Sequence, residues 1–181
     1  MAALTIRDDL TAGDLRHWAR KARTGRAVAR AYASIHANVA AFDPGLELDG
    51  VLVAQAVSGG LELVIGIDRD AEMGPVVMFG MGGVWLELFK DVAFAPPALD
   101  QEAARRMIAR TRAGTLLAGY RGEAARDGAA VIETLVAAGR MARELGHVIQ
   151  SLDINPFTVL AEGQGGMALD ALVVLRGRSG G

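Results

Sequence analysis

Leu152-Asp153-Ile154-Asn155-Pro156-Phe157-Thr158-Val159-Leu160, then Ala161-Glu162-Gly163-Gln164-Gly165-Gly166, then Met167-Ala168-Leu169-Asp170-Ala171-Leu172-Val173-Val174-Leu175, is the stretch on which the fold turns. Runs of β-branched and apolar residues at 148–154, 157–160 and 167–175 read as strands, and the glycine-rich segment between the last two reads as a hairpin loop. With the loop at 162–165, Ala161 faces Gly166, Phe157 opposes Asp170, and Asn155 lies one diagonal step from Asp170. Diagonal neighbours lie about 7 Å apart at the backbone, so their side chains are able to share one ion. Strand side chains alternate between faces, so Asp153, Asn155 and Asp170 are expected on one face. A one-residue slip would send Asp170 to the other side. A carboxylate and an amide oxygen, with no sulfur or imidazole, are hard donors of the kind Mg²⁺ takes alongside phosphate. The competing reading is structural. Asn-Pro is a common turn, and an Asp or Asn at a strand end often bonds only local backbone. Asp170 is harder to explain this way, because an acid within an apolar strand is costly unless solvated, paired or metal-bound.

Upstream of this stretch the pattern is helical. From 129 to 145, Val131, Leu135, Ala138, Ala142 and Leu145 recur at spacings of three and four, and Gly146 ends the run. A second helix starts from Asp100 as N-cap and carries Ala103, Met107, Ile108 and Thr111 toward Gly114. Further back, 51–57, 61–67, 75–79 and 84–89 are short β-rich runs, read as an antiparallel meander in which Ser58-Gly59-Gly60 joins the first two. Gly80-Met81-Gly82-Gly83 lies between the last two runs. Its backbone N–H groups are candidates to cradle phosphate, although a tight β-turn is the ordinary explanation and the pattern is neither a P-loop nor a dinucleotide fingerprint. Glu62 and Glu87, each inside an apolar run, are further candidate ligands or orienting acids. Strands, then helices, then strands imply an α+β domain with a mostly antiparallel sheet and helices packed on one face.

The first 49 residues differ in character. Six cationic residues (Arg16, Arg20, Lys21, Arg23, Arg26, Arg30) fall between positions 16 and 30. Val28, Tyr32, Ile35, Val39 and Phe42 form one helical stripe that Asp43-Pro44-Gly45 stops. The basic run reads as a solvated helix face and not a nucleic-acid arm, because no aromatics are interleaved with it.

The chain has 181 residues, a net charge of −2, no cysteine, and two lysines against seventeen arginines. Disulfides, thiolate metal sites and cysteine nucleophiles are thereby excluded. The charge gives no general attraction to nucleic acid or membrane, and no apolar run approaches the roughly 18–20 residues that cross a bilayer. The absence of a signal-peptide h-region favours a cytoplasmic location. His17, His36 and His147 do not share a face, and Ser58 and Ser151 lack a nucleophile elbow, so none of these carries a catalytic expectation.

Taken in order, several segments resemble the ATP-grasp domain of NDP-forming acyl-CoA synthetases, a succinyl-CoA synthetase-like family that includes ADP-forming acetate–CoA ligases. They are Gly50-Val51-Leu52-Val53, Glu62-Leu63-Val64-Ile65-Gly66, Gly74-Pro75-Val76-Val77-Met78-Phe79-Gly80-Met81-Gly82-Gly83 with Glu87 and Asp91, Leu116-Leu117-Ala118-Gly119-Tyr120-Arg121-Gly122, and Leu152-Asp153-Ile154-Asn155-Pro156 with Asp170-Ala171. The resemblance covers residues 27–175 and implies the carboxy-terminal lobe of that domain. An atypical basic segment at 1–26 would precede it and a flexible tail at 176–181 would follow. It implies Mg²⁺ and ATP or ADP as cofactors, with Asn155 and Asp170 as metal ligands. Asp153 would lie near a visiting phosphohistidine, with Glu87 as a second catalytic acid, and Gly80, Gly82, Gly83 and Glu62 would line the nucleotide phosphates. The family interconverts carboxylate, CoA and ATP with acyl-CoA, ADP and phosphate. The first nucleotide lobe and the CoA-binding part that carries the phosphohistidine have no counterpart here. The expectation is therefore a lobe of an acid–thiol ligase, inactive alone and completed by CoA-binding domains or a subunit. Two alternatives are a regulatory synthetase-like domain, as in some protein acetyltransferases, and a non-catalytic oligomerisation module that forms a homo-oligomer.

Overall fold

A computed structural model describes residues 2–5, 20–22, 24–46, 48, 50–55, 57–83 and 91–177. The chain divides into two compact units, 1–58 and 59–181, the division falling inside the segment 27–175.

The first unit holds strands β1 (Ala2–Thr5), β2 (Arg20–Ala22) and β3 (Leu52–Gln55), and helix α1 (Gly25–Phe42). Its sheet has the order β2-β1-β3, with both pairs antiparallel. Helix α1 starts where the Thr24 side chain accepts the Ala27 N–H, and ends where the Asp43 N–H reaches the Val39 carbonyl. Its buried residues are Ala31, Ile35 and Val39, against which Val28, Leu46, Leu48 and Val51 pack. Three expectations change here. The reading of the basic run as a helix face fails at β2, because that run has no apolar period that would fix it as helix, and β1 is not anticipated. The α1 stripe is rotated, leaving Tyr32 and Phe42 exposed. Val51–Val57 does not form a hairpin with the next strand either, since β3 takes β1 as its partner.

The second unit runs β4 (Leu61–Asp70), β5 (Gly74–Met81), β6 (Val92–Ala95), α2 (Gln101–Ala109), α3 (Arg112–Leu117), α4 (Gly128–Leu145), β7 (Ile149–Val159), β8 (Gly166–Ala168) and β9 (Ala171–Leu175). Its antiparallel sheet has the order β6-β5-β4-β7-β8, and β9 also pairs with β7. Leu63, Ile65 and Ile67 of β4, Val77, Phe79 and Met81 of β5, and Leu152, Phe157 and Val159 of β7 point to one face. There they meet Ala104, Met107 and Ile108 of α2, Ala113 and Leu117 of α3, and Val131, Leu135, Ala138 and Ala142 of α4. The helices thus cover one face of the sheet, while Val64 and Val76 are buried on the other, and each fully buried Leu or Phe is worth about 1.5–3 kcal/mol.

Local chemistry sets the boundaries. The β4–β5 turn is held by Asp70, whose Oδ1 accepts the N–H groups of Glu72 and Met73. Thr111 does not extend α2. It N-caps α3, its hydroxyl accepting the Gly114 N–H and donating to the Ile108 carbonyl. Asn155-Pro156, read as a break between strands, lies inside a continuous β7, with a cis peptide bond and a register shift against β4. Proline offers no N–H to a ladder, so a shift is where a strand accommodates it. The run 167–175 is conversely split into β8 and β9 around Leu169-Asp170.

Candidate functional site

The sheet face opposite the helices carries the polar residues singled out above. Gly66 of β4 stands directly across from Asp153, so the two share a face, and residues 152 and 154 belong to the core side. A Cβ at Gly66 would lie 2.8 Å from the Leu152 carbonyl oxygen. Glycine here lets the strands close up and leaves the surface beside Asp153 without a side chain.

The final hairpin differs from its expected register by two residues. Phe157 faces Ala168 and Ile154 faces Ala171, which puts Asn155 directly opposite Asp170 and not on a diagonal. The Asn155 N–H donates to the Asp170 carbonyl at 3.2 Å. A two-residue shift preserves the face, so the convergence survives and tightens. Its cause lies outside the hairpin. Ala161 bridges to Arg126 instead of facing Gly166, and the Asp127 N–H donates to the Leu160 carbonyl. Asp127 caps α4 through Ala130 while its Oδ2 accepts the Gly165 N–H at 2.8 Å. Gly163 and Gly165 both take φ 76, a left-handed conformation that favours glycine.

Asn155 Oδ1 accepts the Gly83 N–H at 3.0 Å. Gly83 (φ 60) also lies against Glu62, whose Oε2 is 2.6 Å from where a Cβ would sit. Glu62, Gly83, Asn155, Asp170 and Asp153 therefore form one continuous polar patch. Gly80 and Gly82 are packed against other backbone: a Cβ would lie 2.4 Å from the Asp91 carbonyl at Gly80 and 2.5 Å from the Leu63 carbonyl at Gly82. The ordinary turn-and-packing reading thus accounts for these two glycines, and the Gly83 N–H is already engaged by Asn155.

Partial burial of the Asp153 carboxylate, and then repulsion from Asp170, hold its pKa above the usual range. Among the described residues no three Asp, Glu, His or Cys side chains converge as a metal cluster. The donors here are two carboxylates and an amide oxygen. That set fits Mg²⁺, which commonly takes one or two protein carboxylates and fills its remaining positions with water and phosphate oxygens. Glu87 and the run 84–89 lie outside the described residues. Asp91, part of the ordered motif set, is an N-terminal cap, its Oδ2 accepting the N–H groups of Arg112 and Ala113. Asp127 and Gly66 went unassigned in the sequence. A glycine in the middle of Leu61–Ile67 and an aspartate just before a helical period were the available signals.

The ATP-grasp domain model matches residues 21–175. The chain is 36% identical over 143 residues to the ADP-forming acetate–CoA ligase II subunit beta of Pyrococcus furiosus, covering 79% of this chain and 61% of that subunit. It superposes, with TM-score 0.83 and 35% identity over 97% of its length, on 76% of a chain of a dinucleotide-forming acetyl-coenzyme A synthetase 1. That structure, from Ca. Korarchaeum cryptofilum, is a complex with coenzyme A, Ca-AMPCP and HgCl⁺. Another structure of the enzyme matches with TM-score 0.80 and 31% identity over 96% of this chain and 76% of that one. It holds coenzyme A and Mg-AMPPCP, its phosphohistidine segment pointing towards the nucleotide binding site.

Proposed function

This chain belongs to the ATP-grasp domain family, in the branch of the ADP-forming acyl-CoA synthetases, and from that membership we propose that its polar sheet face holds the metal-bound phosphates of ATP or ADP. The observation that carries this reading is the direct opposition of Asn155 and Asp170, with Asn155 also fixing the Gly83 loop. Asn155 and Asp170 would be the metal ligands. Mg²⁺ held there would neutralise phosphate charge, the main requirement of phosphoryl transfer.

The remaining contributions come from the chain itself. The Gly80–Gly83 segment would border the transferred phosphoryl group, where backbone packing leaves no side chain in the way. Glu62, lying against Gly83, would limit how closely a phosphate approaches that turn. Asp153, with its carboxyl shifted toward the protonated form, would face an incoming phosphohistidine, and the upward shift would lessen its repulsion of that anionic group. The proposed overall reaction is carboxylate, CoA and ATP giving acyl-CoA, ADP and phosphate. It is completed by a CoA-binding domain or subunit carrying the phosphohistidine, with this chain inactive alone.

Calorimetry with Mg-ADP and Mg-ATP tests the site. The expected result is binding that Asn155→Ala and Asp170→Ala each weaken by about tenfold or more, the scale of losing a charge-assisted contact of roughly 1.4 kcal/mol. Absence of binding, or binding indifferent to both substitutions, would leave the patch a structural feature of the hairpin.

A further inference from the structure

Strand β9 is apolar along its whole length and exposed on both faces: Leu172 is 62%, Val173 43%, Val174 41% and Leu175 67% exposed. Among the described strands it pairs only with β7, so its other edge presents unpaired N–H and C=O groups. Proteins usually blunt such an edge with lysine, proline or a bulge, and Ala171-Leu172-Val173-Val174-Leu175 contains no lysine or proline. Its flanks are charged with opposite sign, Asp170 before and Arg176 after.

We propose that β9 pairs antiparallel with β9 of a second copy of this chain, about a two-fold axis through Val173. In that register Val173 faces its own counterpart, Leu172 faces Val174, Ala171 faces Leu175, and Asp170 faces Arg176. A two-fold interface needs a surface complementary to itself. An apolar pentapeptide closed by an acid at one end and a base at the other meets that need, with two acid–base pairs per dimer. Sliding the strands by two residues one way sets Asp170 opposite Val174 and loses both pairs; sliding the other way sets Asp170 opposite Arg178 but Leu172 opposite Arg176, so charge and apolar matching together specify the register. Alternation places Asp170, Leu172, Val174 and Arg176 on the face shared with Asp153 and Asn155. The second copy's Arg176, whose guanidinium reaches the His147 carbonyl of its own chain at 3.5 Å, would turn to the free edge and so come to the rim of the candidate site. The pairing and the metal reading both draw on Asp170, but the pairing is read by mass and the metal reading by nucleotide binding, so the failure of one is distinguishable from the failure of the other.

Sedimentation velocity of the full 181-residue chain over a dilution series tests it. The wild type is expected to sediment as a dimer at the concentrated end and to dissociate on dilution. Arg176→Asp places acid against acid at both ends of the interface and should weaken association by about tenfold or more. Adding Asp170→Arg to Arg176→Asp restores opposite charges and should restore the dimer. Val173→Lys, which sets a lysine against its own copy, should give a monomer. Circular dichroism melts of the exposed-site variants report folding separately. A wild type that stays monomeric throughout, a dimer unaffected by Arg176→Asp and Val173→Lys, or a double variant that does not recover would each overturn the proposal.

Discussion

Asn155 ties three segments together: its side chain receives the Gly83 N–H, its own N–H goes to Asp170, and the next residue lies at the register shift between β7 and β4. Asn155→Ala should therefore speed hydrogen exchange at the Gly83 amide by at least about tenfold, whereas a bond that forms only part of the time would leave the rate unchanged. The repulsion between Asp153 and Asp170 has its own test. In metal-free protein followed by NMR, the Asp153 titration midpoint should lie above the ordinary carboxylate range and fall in Asp170→Asn. A midpoint that does not move would mean the two carboxylates do not sense each other. Asp127 and Asp70 are shifted the other way. Backbone N–H donors, from Gly165 and then Ala130 for Asp127, and from Met73 and then Glu72 for Asp70, hold both below the usual range. A carboxylate depressed by folding contributes stability that is complete above its unfolded pKa of about 3.9 and is lost as pH falls through the folded value. Asp127→Ala should lower the melting temperature at pH 7, and the difference from wild type should shrink as pH drops below that range.

At the scale of elements, helix α4 offers a test in which propensity and packing disagree. Gly139 lies in its interior, where replacing glycine by alanine ordinarily stabilises by about 1 kcal/mol. Here a Cβ would sit 2.6 Å from the Pro97 carbonyl and 3.1 Å from the Leu99 Cβ. Pro97 is backbone and has little room to yield, so Gly139→Ala should destabilise, by about 1–3 kcal/mol as overpacking usually does, read by chemical denaturation. A gain in stability would mean the loop before α2 moves away freely. The Thr111 cap is the other element-scale dependency. Thr111→Ala removes the acceptor of the Gly114 N–H at a buried position and should cost about 1–2 kcal/mol.

For the whole molecule, the core of the second unit is large and that of the first is small, and the two share no residue. Leu135 is fully buried among the helices and the sheet, so Leu135→Ala should cost about 2–5 kcal/mol. Ile35→Ala should act within the first unit. Hydrogen exchange by mass spectrometry is expected to show Leu135→Ala loosening residues 128–145, and Ile35→Ala loosening residues 25–42. Loss of protection across both regions from either substitution would show that the units unfold as one.

Sequence alone determined the class of fold and most of its periodic elements, because the short β-rich runs within β4, β5 and β7 and the three-and-four spacing in α4 are local consequences of which side chains must leave water. Motif order carried the family, and side-chain parity put Asp153, Asn155 and Asp170 on one face. Tertiary structure decided what local pattern leaves open. Partner choice sent β3 to β1 and joined β4 to β7, since a strand's sequence records its faces and not its neighbours. The hairpin register was set from outside by Asp127 and the Arg126 bridge, which moved Asn155 from a diagonal to a direct position against Asp170. The close packing that makes Gly66, Gly80, Gly82 and Gly139 glycines arises only when distant backbones meet, and no run of neighbouring residues encodes that distance.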